Sequence, residues 1–141
     1  MSDDIIVAKA QIVDRCIARA REELAGSTDF AADFTRQDAA VLNVQRACEA
    51  TTDMAFRLVR LKSLGAPANT REAFDLLADA RLIGRPLVAA MMRMVGFRNV
   101  AVHRYTDLDL DVLERVIREG LDDLAAFAAL ALTLSPPPSA P

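Results

Sequence analysis

The chain has 141 residues, of which 52% are apolar, and it contains one histidine, one tyrosine and no tryptophan. This length suits a single domain that buries its own core, and a composition rich in alanine, leucine and arginine favours helices over sheets. The formal net charge of −3 argues against a general binder of polyanions.

The first half of the chain predicts two long helices. Apolar residues at helical spacing predict helix 1 from about Asp4 to Leu24 and helix 2 from Thr35, or shortly after, to about Leu64. The segment 26–35 mixes turn formers with two phenylalanines that we expect to pack onto the core. Gly65 suits the carboxyl-terminal cap of helix 2, because Pro67 cannot continue a helix. The predicted inner faces consist of Ile5, Ile12, Val13, Cys16, Ile17, Ala20 and Leu24 in helix 1 and of Val41, Val44, Cys48, Ala55, Leu58, Val59 and Leu61 in helix 2.

The second half predicts a short helix and two further long ones. Thr70 is the expected N-cap of a short third helix within residues 71–83, and Pro86 stands where the first turn of the next helix tolerates proline. Helix 4 takes in residues 87–105, and helix 5 runs from about Leu108 to Thr133 after a segment of capping residues. The predicted apolar face of helix 5 is Val112, Leu113, Val116, Ile117, Leu121, Leu124, Phe127 and Ala128.

These elements predict an all-α, mostly up-and-down bundle of four long helices and one short helix. We expect one domain over residues 1–134 and a disordered, proline-rich tail over 135–141. The amino-terminal apolar run is too short for a signal peptide, and the longest run, 124–134, is too short to cross a bilayer. We therefore expect a cytoplasmic protein with no membrane partner and with two reduced, buried thiols, Cys16 and Cys48. Residues 124–134 either close the core or form a subunit interface.

Charge is unevenly distributed along the chain. No acidic residue lies from Ala80 to Thr106, a segment that holds five arginines, and seven acidic residues follow between Asp107 and Asp123. A local basic surface on an acidic body is one interpretation. The alternative is that these arginines are solvated or pair with the nearby acids.

The stretch "GFRNVAVHRY", residues 96–105, contains the only histidine, His103, and the only tyrosine, Tyr105. The chain has no glycine-rich phosphate loop, no HExxH, no Glu-x-x-His pair and no CxxC, so we expect neither a metal nor a cofactor. An imidazole can move a proton near neutral pH, and the guanidinium of Arg98 can clamp a phosphate. Together they suit metal-free cleavage of RNA by its own 2′-hydroxyl, although a single histidine near an arginine is more often structural.

Helical geometry limits how Arg98 and His103 can cooperate. Five residues apart in a straight helix, they project about 140° apart. They converge only if the helix loosens, which Gly96 would permit, or if a neighbouring element bends the cleft towards them. Cleavage also benefits from both a base and an acid, and a dimer with two copies of the motif would supply the missing group.

The sequence "RNVAVHRY" resembles the R-x4-H-x-Y signature of the HepT family within the HEPN superfamily. The segments "VQRACEATTDMA", "REAFDLLADARLI" and "MVGFRNVAVHRY" resemble successive blocks of that family in the same order. The resemblance covers roughly Ile5 to Phe127, and three ordered blocks make it more specific than the motif alone.

The resemblance implies a five-helix HEPN bundle that forms a homodimer, with both R-x4-H motifs lining a shared cleft. It implies a metal-independent ribonuclease toxin, with tRNA among its substrates, that needs no cofactor. The implied partner is MntA, a minimal nucleotidyltransferase antitoxin that transfers AMP to the tyrosine of the motif, here Tyr105. An adenylate at that position would add negative charge and bulk beside the cleft and repel RNA phosphates.

By the same resemblance, Arg98 would stabilise the scissile phosphate and His103 would transfer the proton. Asn99 and Arg104 stand at variable positions of the motif, and only their chemistry suggests that they line the cleft. Tyr105 would be the regulated position.

Three polar residues of helix 2 are further candidates for the cleft. Arg46, Glu49 and Asp53 are spaced by three and four, so they share one helix face. One of the carboxylates could orient Arg98 or His103. An exposed row of ion pairs is the competing interpretation.

Two other functions remain open from the sequence. The first is a catalytically silent HEPN adaptor that assists a partner nucleotidyltransferase, and the second is a housekeeping helical dimer in which His103 only caps a helix. The intact Arg98, His103 and Tyr105 favour the toxin, whereas the acidic pI near 5.1 favours the adaptor or a narrow RNA substrate.

Overall fold

A computed structural model of the chain describes residues 3–103 and 108–135, and this part of the chain is built from helices without a strand. The elements in order are α1 (Asp4–Ala25), a short 3₁₀ turn (Phe30–Ala32), α2 (Phe34–Leu61), α3 (Thr70–Asp79), α4 (Arg85–His103), α5 (Leu110–Arg115), a π-helical turn (Val116–Gly120) and α6 (Leu121–Leu134). The all-α prediction is confirmed.

The last three elements follow one another without a break and correspond to the predicted helix 5. The sequence did not predict the π-helical turn, in which the N–H of Leu121 donates to the carbonyl of Val116. Gly120 ends this turn, and a Cβ added there would lie 3.0 Å from the Sδ of Met94. The last helix therefore approaches α4 closely at a point where a side chain would be crowded.

Short polar side chains start four of the helices. Asp3 caps α1, Asp33 caps α2 and Asp109 caps α5, each by accepting from backbone N–H groups of the first turn. Asn69 caps α3 through a 2.9 Å hydrogen bond from the N–H of Glu72. The prediction that Thr70 is the N-cap was therefore wrong by one residue, since Thr70 is already helical.

Helix α2 ends in a left-handed residue that is not glycine. Ser63 has φ 54°, and the N–H of Leu64 donates to the carbonyl of Val59 at 3.0 Å, which is the Schellman pattern. Gly65, the predicted cap, lies two residues further on with φ 126°. Arg81 ends α3 in the same way, with φ 61°.

The core lies between α1 and α2, which pack along their length, and α6 covers both. Phe74 of α3 meets Phe127 of α6 edge to face, with ring centroids 5.2 Å apart. Leu124, Phe127 and Ala131 are buried, so residues 124–134 close the core along one face. In the described part of the chain, no helix is long and apolar enough to cross a membrane. The largest fully buried side chains are Phe74, Phe127, Ile6, Met54, Leu58, Leu77, Met91, Leu113, Ile117, Leu121, Leu124 and Val13.

Four apolar residues expected in the core are exposed. Phe30 packs into the core as predicted, but Phe34 is 71% exposed because it begins α2 on the solvent side. Ile5, Ile12 and Val112 also lie outside, since neighbouring Ile6, Val13 and Leu113 occupy the inward-facing positions. Cys16 and Cys48 are free and buried, as predicted.

The two ends of the described chain meet at Asp3. Its carboxylate accepts two hydrogen bonds from the guanidinium of Arg57 in α2, the closer at 2.8 Å. Its backbone N–H donates to the hydroxyl of Ser135 at 2.7 Å. Ser135, which the predicted boundary assigns to the tail, is thus buried against the bundle. Residues 136–141 lie outside the described residues.

Candidate functional site

A cleft of about 200 Å³ opens between α2, the start of α3 and the second half of α4. Four of the predicted site residues line it, two from each long helix: Glu49, Asp53, Arg98 and Asn99. Cys48, Thr52, Thr70 and Val95 complete the lining. The spacing of Glu49 and Asp53 in α2 therefore does bring both carboxylates to the cleft that contains the arginine of the motif.

Arg98 extends from α4 across the cleft to α2. Its Nη2 donates to Oε1 of Glu49 at 3.0 Å, and its Nη1 donates to Oδ1 of Asn99 at 3.3 Å. The Arg98 side chain is 32% exposed, so solvent and ligands reach it. Glu49 thus holds the guanidinium in place at the mouth of the cleft while leaving other N–H groups of that fork free to donate.

Asp53 forms an ion pair with a residue outside the cleft lining. The ammonium of Lys9 in α1 lies 2.9 Å from its Oδ2, so this pair joins α1 to α2 beside the cleft. Arg46 is exposed and does not line the cleft. Burial raises the pKa of the Cys16 thiol in α1, and the positive charge of Arg46 opposes this shift.

Cys48 lies at the base of the cleft, but its thiol is not activated as a nucleophile. Burial raises the pKa of its thiol to about 12, and the nearby charge of Arg98 offsets this only in part. The thiol also lies 3.8 Å from the carbonyl oxygen of Met94. It therefore remains protonated at physiological pH.

His103 is the last residue of α4; it is exposed and does not line the cleft. The loosening that Gly96 would permit does not occur, because α4 is helical from Arg85 to His103. Gly96 itself faces open space, with nothing within 4 Å of a Cβ placed there. Arg98 and His103 therefore point from different faces of one helix, as their spacing predicts, and a single chain does not bring them together.

Arg104 and Tyr105 lie outside the described residues, so their roles stay predictions. Within residues 3–103 and 108–135, no group of three or more His, Cys, Asp and Glu side chains is arranged to hold a metal ion.

Sequence reasoning missed two hydroxyls and one cation at the cleft. Thr52 lies three residues after Glu49 and so shares its helix face, a signal that was available. Thr70 reaches the cleft because the loop after α2 folds back, and Lys9 because α1 packs on α2. Local spacing carries no signal for either of these long-range contacts.

A family model described as Ribonuclease HepT-like matches residues 13–130. The chain belongs to this HepT-like family. The family predicted from the R-x4-H-x-Y motif is thereby confirmed, and with it the ribonuclease class of enzyme.

Relatives of known function and structure support the assignment. The chain is 42% identical over 125 residues to the mRNA nuclease HepT of Shewanella oneidensis, covering 89% of this chain and 94% of that one. A solved structure of a tri-AMPylated HEPN toxin from Shewanella oneidensis with its MNT antitoxin superimposes with a TM-score of 0.85 at 41% identity, over 91% of this chain and 96% of that one. A toxin–antitoxin structure with AMP-PNP gives a TM-score of 0.86 at 40% identity, over 92% of this chain and 98% of that one. The predicted HEPN fold is confirmed.

Proposed function

We propose that this HepT-like chain is the toxin of a toxin–antitoxin pair and cleaves RNA, without a metal ion, at a site formed by Arg98 and His103. The observation that carries the proposal is the placement of Arg98. In a chain with the intact R-x4-H-x-Y motif, its guanidinium is held by Glu49 at an open cleft, where a phosphate can approach it. The name of the 42% identical relative, an mRNA nuclease, supports the same chemistry.

The residues provide the parts of a transesterification. The imidazole of His103 accepts the proton of the 2′-hydroxyl, and the 2′-oxygen then attacks the adjacent phosphorus. The bond from phosphorus to the 5′-oxygen breaks, and that oxygen takes up a proton from solvent water, while the imidazolium of His103 later releases its proton to solvent. Arg98 donates to the phosphate oxygens, where negative charge develops in the transition state. The products are a 2′,3′-cyclic phosphate and a 5′-hydroxyl.

A homodimer completes this site. One chain has a single histidine, and its Arg98 and His103 point from different faces of α4. A second copy places its own His103 opposite Arg98, so that each composite site takes its arginine from one chain and its histidine from the other. The exposed Val100 and Val102, at 39% and 41%, lie beside His103 and offer apolar surface that a dimer would bury.

We also propose that AMP transfer to Tyr105, which the resemblance to the family implies, regulates the toxin; this tyrosine stands two residues after His103. The related toxin with its MNT antitoxin is tri-AMPylated, so the group transfer is chemistry that a close relative undergoes. We expect a nucleotidyltransferase antitoxin to transfer AMP from ATP to the phenol oxygen of Tyr105, with release of pyrophosphate. Intact mass after co-expression should show the AMP increment on the wild type, and Tyr105→Phe should lack the increment that belongs to this site.

Two classes of RNA are candidate substrates. The resemblance points to tRNA, whereas the relative is named as an mRNA nuclease. Both RNAs offer the single-stranded 2′-hydroxyl that the chemistry requires. Mapping the new 5′-hydroxyl ends in total RNA after brief expression in the cytoplasm would assign the class.

The test of cleavage compares the wild type with Arg98→Ala and His103→Ala in buffer containing EDTA. Wild type should cut RNA and leave a cyclic phosphate, both variants should lose activity by about 100-fold or more, and a 2′-deoxy substitution at the scissile position should abolish cutting. Equal activity in all three proteins, or activity that EDTA abolishes, would contradict the proposal.

One observation favours the adaptor as a second candidate. Glu49 already neutralises Arg98, and the chain as a whole is acidic. An adaptor would leave RNA uncut in every condition but would raise the turnover of the partner nucleotidyltransferase, and His103→Ala would not change that effect.

A further inference from the structure

The cleft that holds Arg98 lacks the charge to attract RNA by itself. Its lining includes one arginine and two carboxylates, Glu49 and Asp53, for a formal sum of −1. Adding Lys9, the partner of Asp53, brings the sum only to zero. Affinity for nucleic acid comes chiefly from neutralised phosphates, so cations elsewhere on the surface must supply it.

A groove between α3 and α4 is lined by an excess of positive charge. Its charged lining residues are Arg71, Arg85, Arg93 and Asp75, for a formal sum of +2. Arg85 is tied to Asp75 at 2.7 Å and also to Asp79, and counting Asp79 still leaves a sum of +1. Among the described residues, Arg71 and Arg93 form no ion pair, so their guanidinium groups are available to an anionic ligand.

This groove adjoins the cleft. Thr70 and Val95 line the cleft, and Arg71 and Arg93, on the same two helices, line the groove. Along the axis of α4, Arg93 lies about 7.5 Å from Arg98 and Arg85 about 20 Å from it. A nucleic-acid strand whose scissile phosphate meets Arg98 can therefore continue into the groove for a few nucleotides.

The position of Arg71 is unfavourable for folding. It lies in the first turn of α3, where the helix dipole disfavours a positive charge. The two nearest carboxylates in the sequence bind other groups, since Glu72 accepts from the N–H of Ala68 and Asp75 pairs with Arg85. The groove on the other side of α4 is different: Arg93 lines both grooves, but there it is joined by Arg115, Glu119 and Asp123, and the formal sum is zero. The excess of positive charge therefore lies on the α3 side.

We propose that the α3–α4 groove binds the phosphates of the RNA strand on one side of the scissile bond, with Arg71 and Arg93 as the phosphate ligands. This inference rests on the proposed function, since it extends the substrate path of the same site. It also accounts for an acidic protein that acts on a polyanion: the attraction is local, and the charge elsewhere on the surface does not oppose it at close range.

The test measures binding of single-stranded RNA oligonucleotides of increasing length to His103→Ala protein, which should leave the RNA whole. Arg71→Ala is the informative substitution, and Arg115→Ala is the matched control that removes the same charge from the balanced groove. For long oligonucleotides, Arg71→Ala should weaken binding about five- to tenfold and reduce the slope of log K against log salt by about 0.7, the value for one contact to a single strand. For dinucleotides, which fill only the cleft, it should change nothing.

The control should bind RNA of every length as the parent does, and the Tm of Arg71→Ala should not fall, because the replaced cation opposes the helix dipole. Unchanged affinity and slope in Arg71→Ala, or equal losses in Arg71→Ala and Arg115→Ala, would overturn the inference. So would normal RNA binding by Arg71→Ala together with lost binding to the nucleotidyltransferase, since the groove would then dock a protein. Failure of wild type to cut any RNA would instead count against the proposed function.

Discussion

The α1–α2 pair and the last two turns of α4 use their polar side chains in different ways. In the pair, charged groups join one element to another, as Arg57 does with Asp3 at 2.8 Å and Lys9 with Asp53 at 2.9 Å. At the end of α4, Asn99 and His103 face solvent beside exposed valines. The first region therefore stabilises the fold and the second holds the proposed catalytic residues, so substitutions should separate stability from RNA cleavage.

The largest difference between an effect on stability and an effect on RNA cleavage is expected for Leu58→Ala and His103→Ala. Leu58 is fully buried in α2, so its truncation should lower the free energy of unfolding by about 3 kcal/mol while the folded fraction still cuts RNA. His103 is exposed, so its truncation should change stability by less than about 0.5 kcal/mol but reduce cleavage about 100-fold or more. Urea unfolding and RNA cleavage are measured on both proteins. If each variant lost both stability and cleavage activity, the two regions would not have separate roles.

Glu49 of α2 contacts Arg98 at the end of α4, so variants of Glu49 test the contact between the two regions. Glu49→Ala frees Arg98 and should lower kcat up to about fivefold, because an exposed ion pair is worth up to about 1 kcal/mol. Glu49→Gln keeps an acceptor for the guanidinium and removes a negative charge from the cleft, so kcat should persist and KM for RNA should fall. Identical kinetics in the two variants would mean that Glu49 does not position Arg98.

The smallest effect is expected at Asp3 and concerns stability alone. The hydrogen bond from Arg57 holds the pKa of this carboxyl below its ordinary value. The unfolded chain then binds more protons than the folded one, so the stabilisation is present above the unfolded pKa, about 3.9, and is lost as pH falls through the folded value. Asp3→Asn keeps a capping side chain but should flatten the fall in Tm below about pH 4, with RNA cleavage unchanged at neutral pH. An equally steep acid transition in this variant would assign the effect to other carboxylates.

Much of the fold could be predicted from local patterns. Helical periodicity gave α1 and α2 to within a few residues, since their inward faces repeat at the helical period over many turns. The pattern could not assign Ile5 and Ile12, because each adjoins another branched residue that serves equally well. The left-handed Ser63 and the π-helical turn at Val116–Gly120 also escaped prediction, since glycine is the usual residue in a left-handed cap and an apolar pattern predicts a regular α-helix.

The site was only partly predictable for the same reason. The spacing of Glu49 and Asp53 correctly indicated a shared face, and the projection of Arg98 and His103 correctly indicated that they diverge. Lys9 and Thr70 join the site through the packing of distant segments, which no local spacing encodes. The unpaired state of Arg71 and Arg93 likewise depends on which acids the fold brings near them.

The central claim, that Arg98 and His103 act together only across a dimer, can be tested by mixing two inactive proteins. Arg98→Ala and His103→Ala are purified separately, combined under conditions that exchange subunits, and assayed for RNA cleavage. Half of the resulting dimers would be mixed, and each would hold one intact pair out of two, so about a quarter of the wild-type activity should return. If the mixture stays as inactive as its components while subunit exchange is verified by mass, Arg98 and His103 of the same chain must work together, and the account of a shared site is wrong.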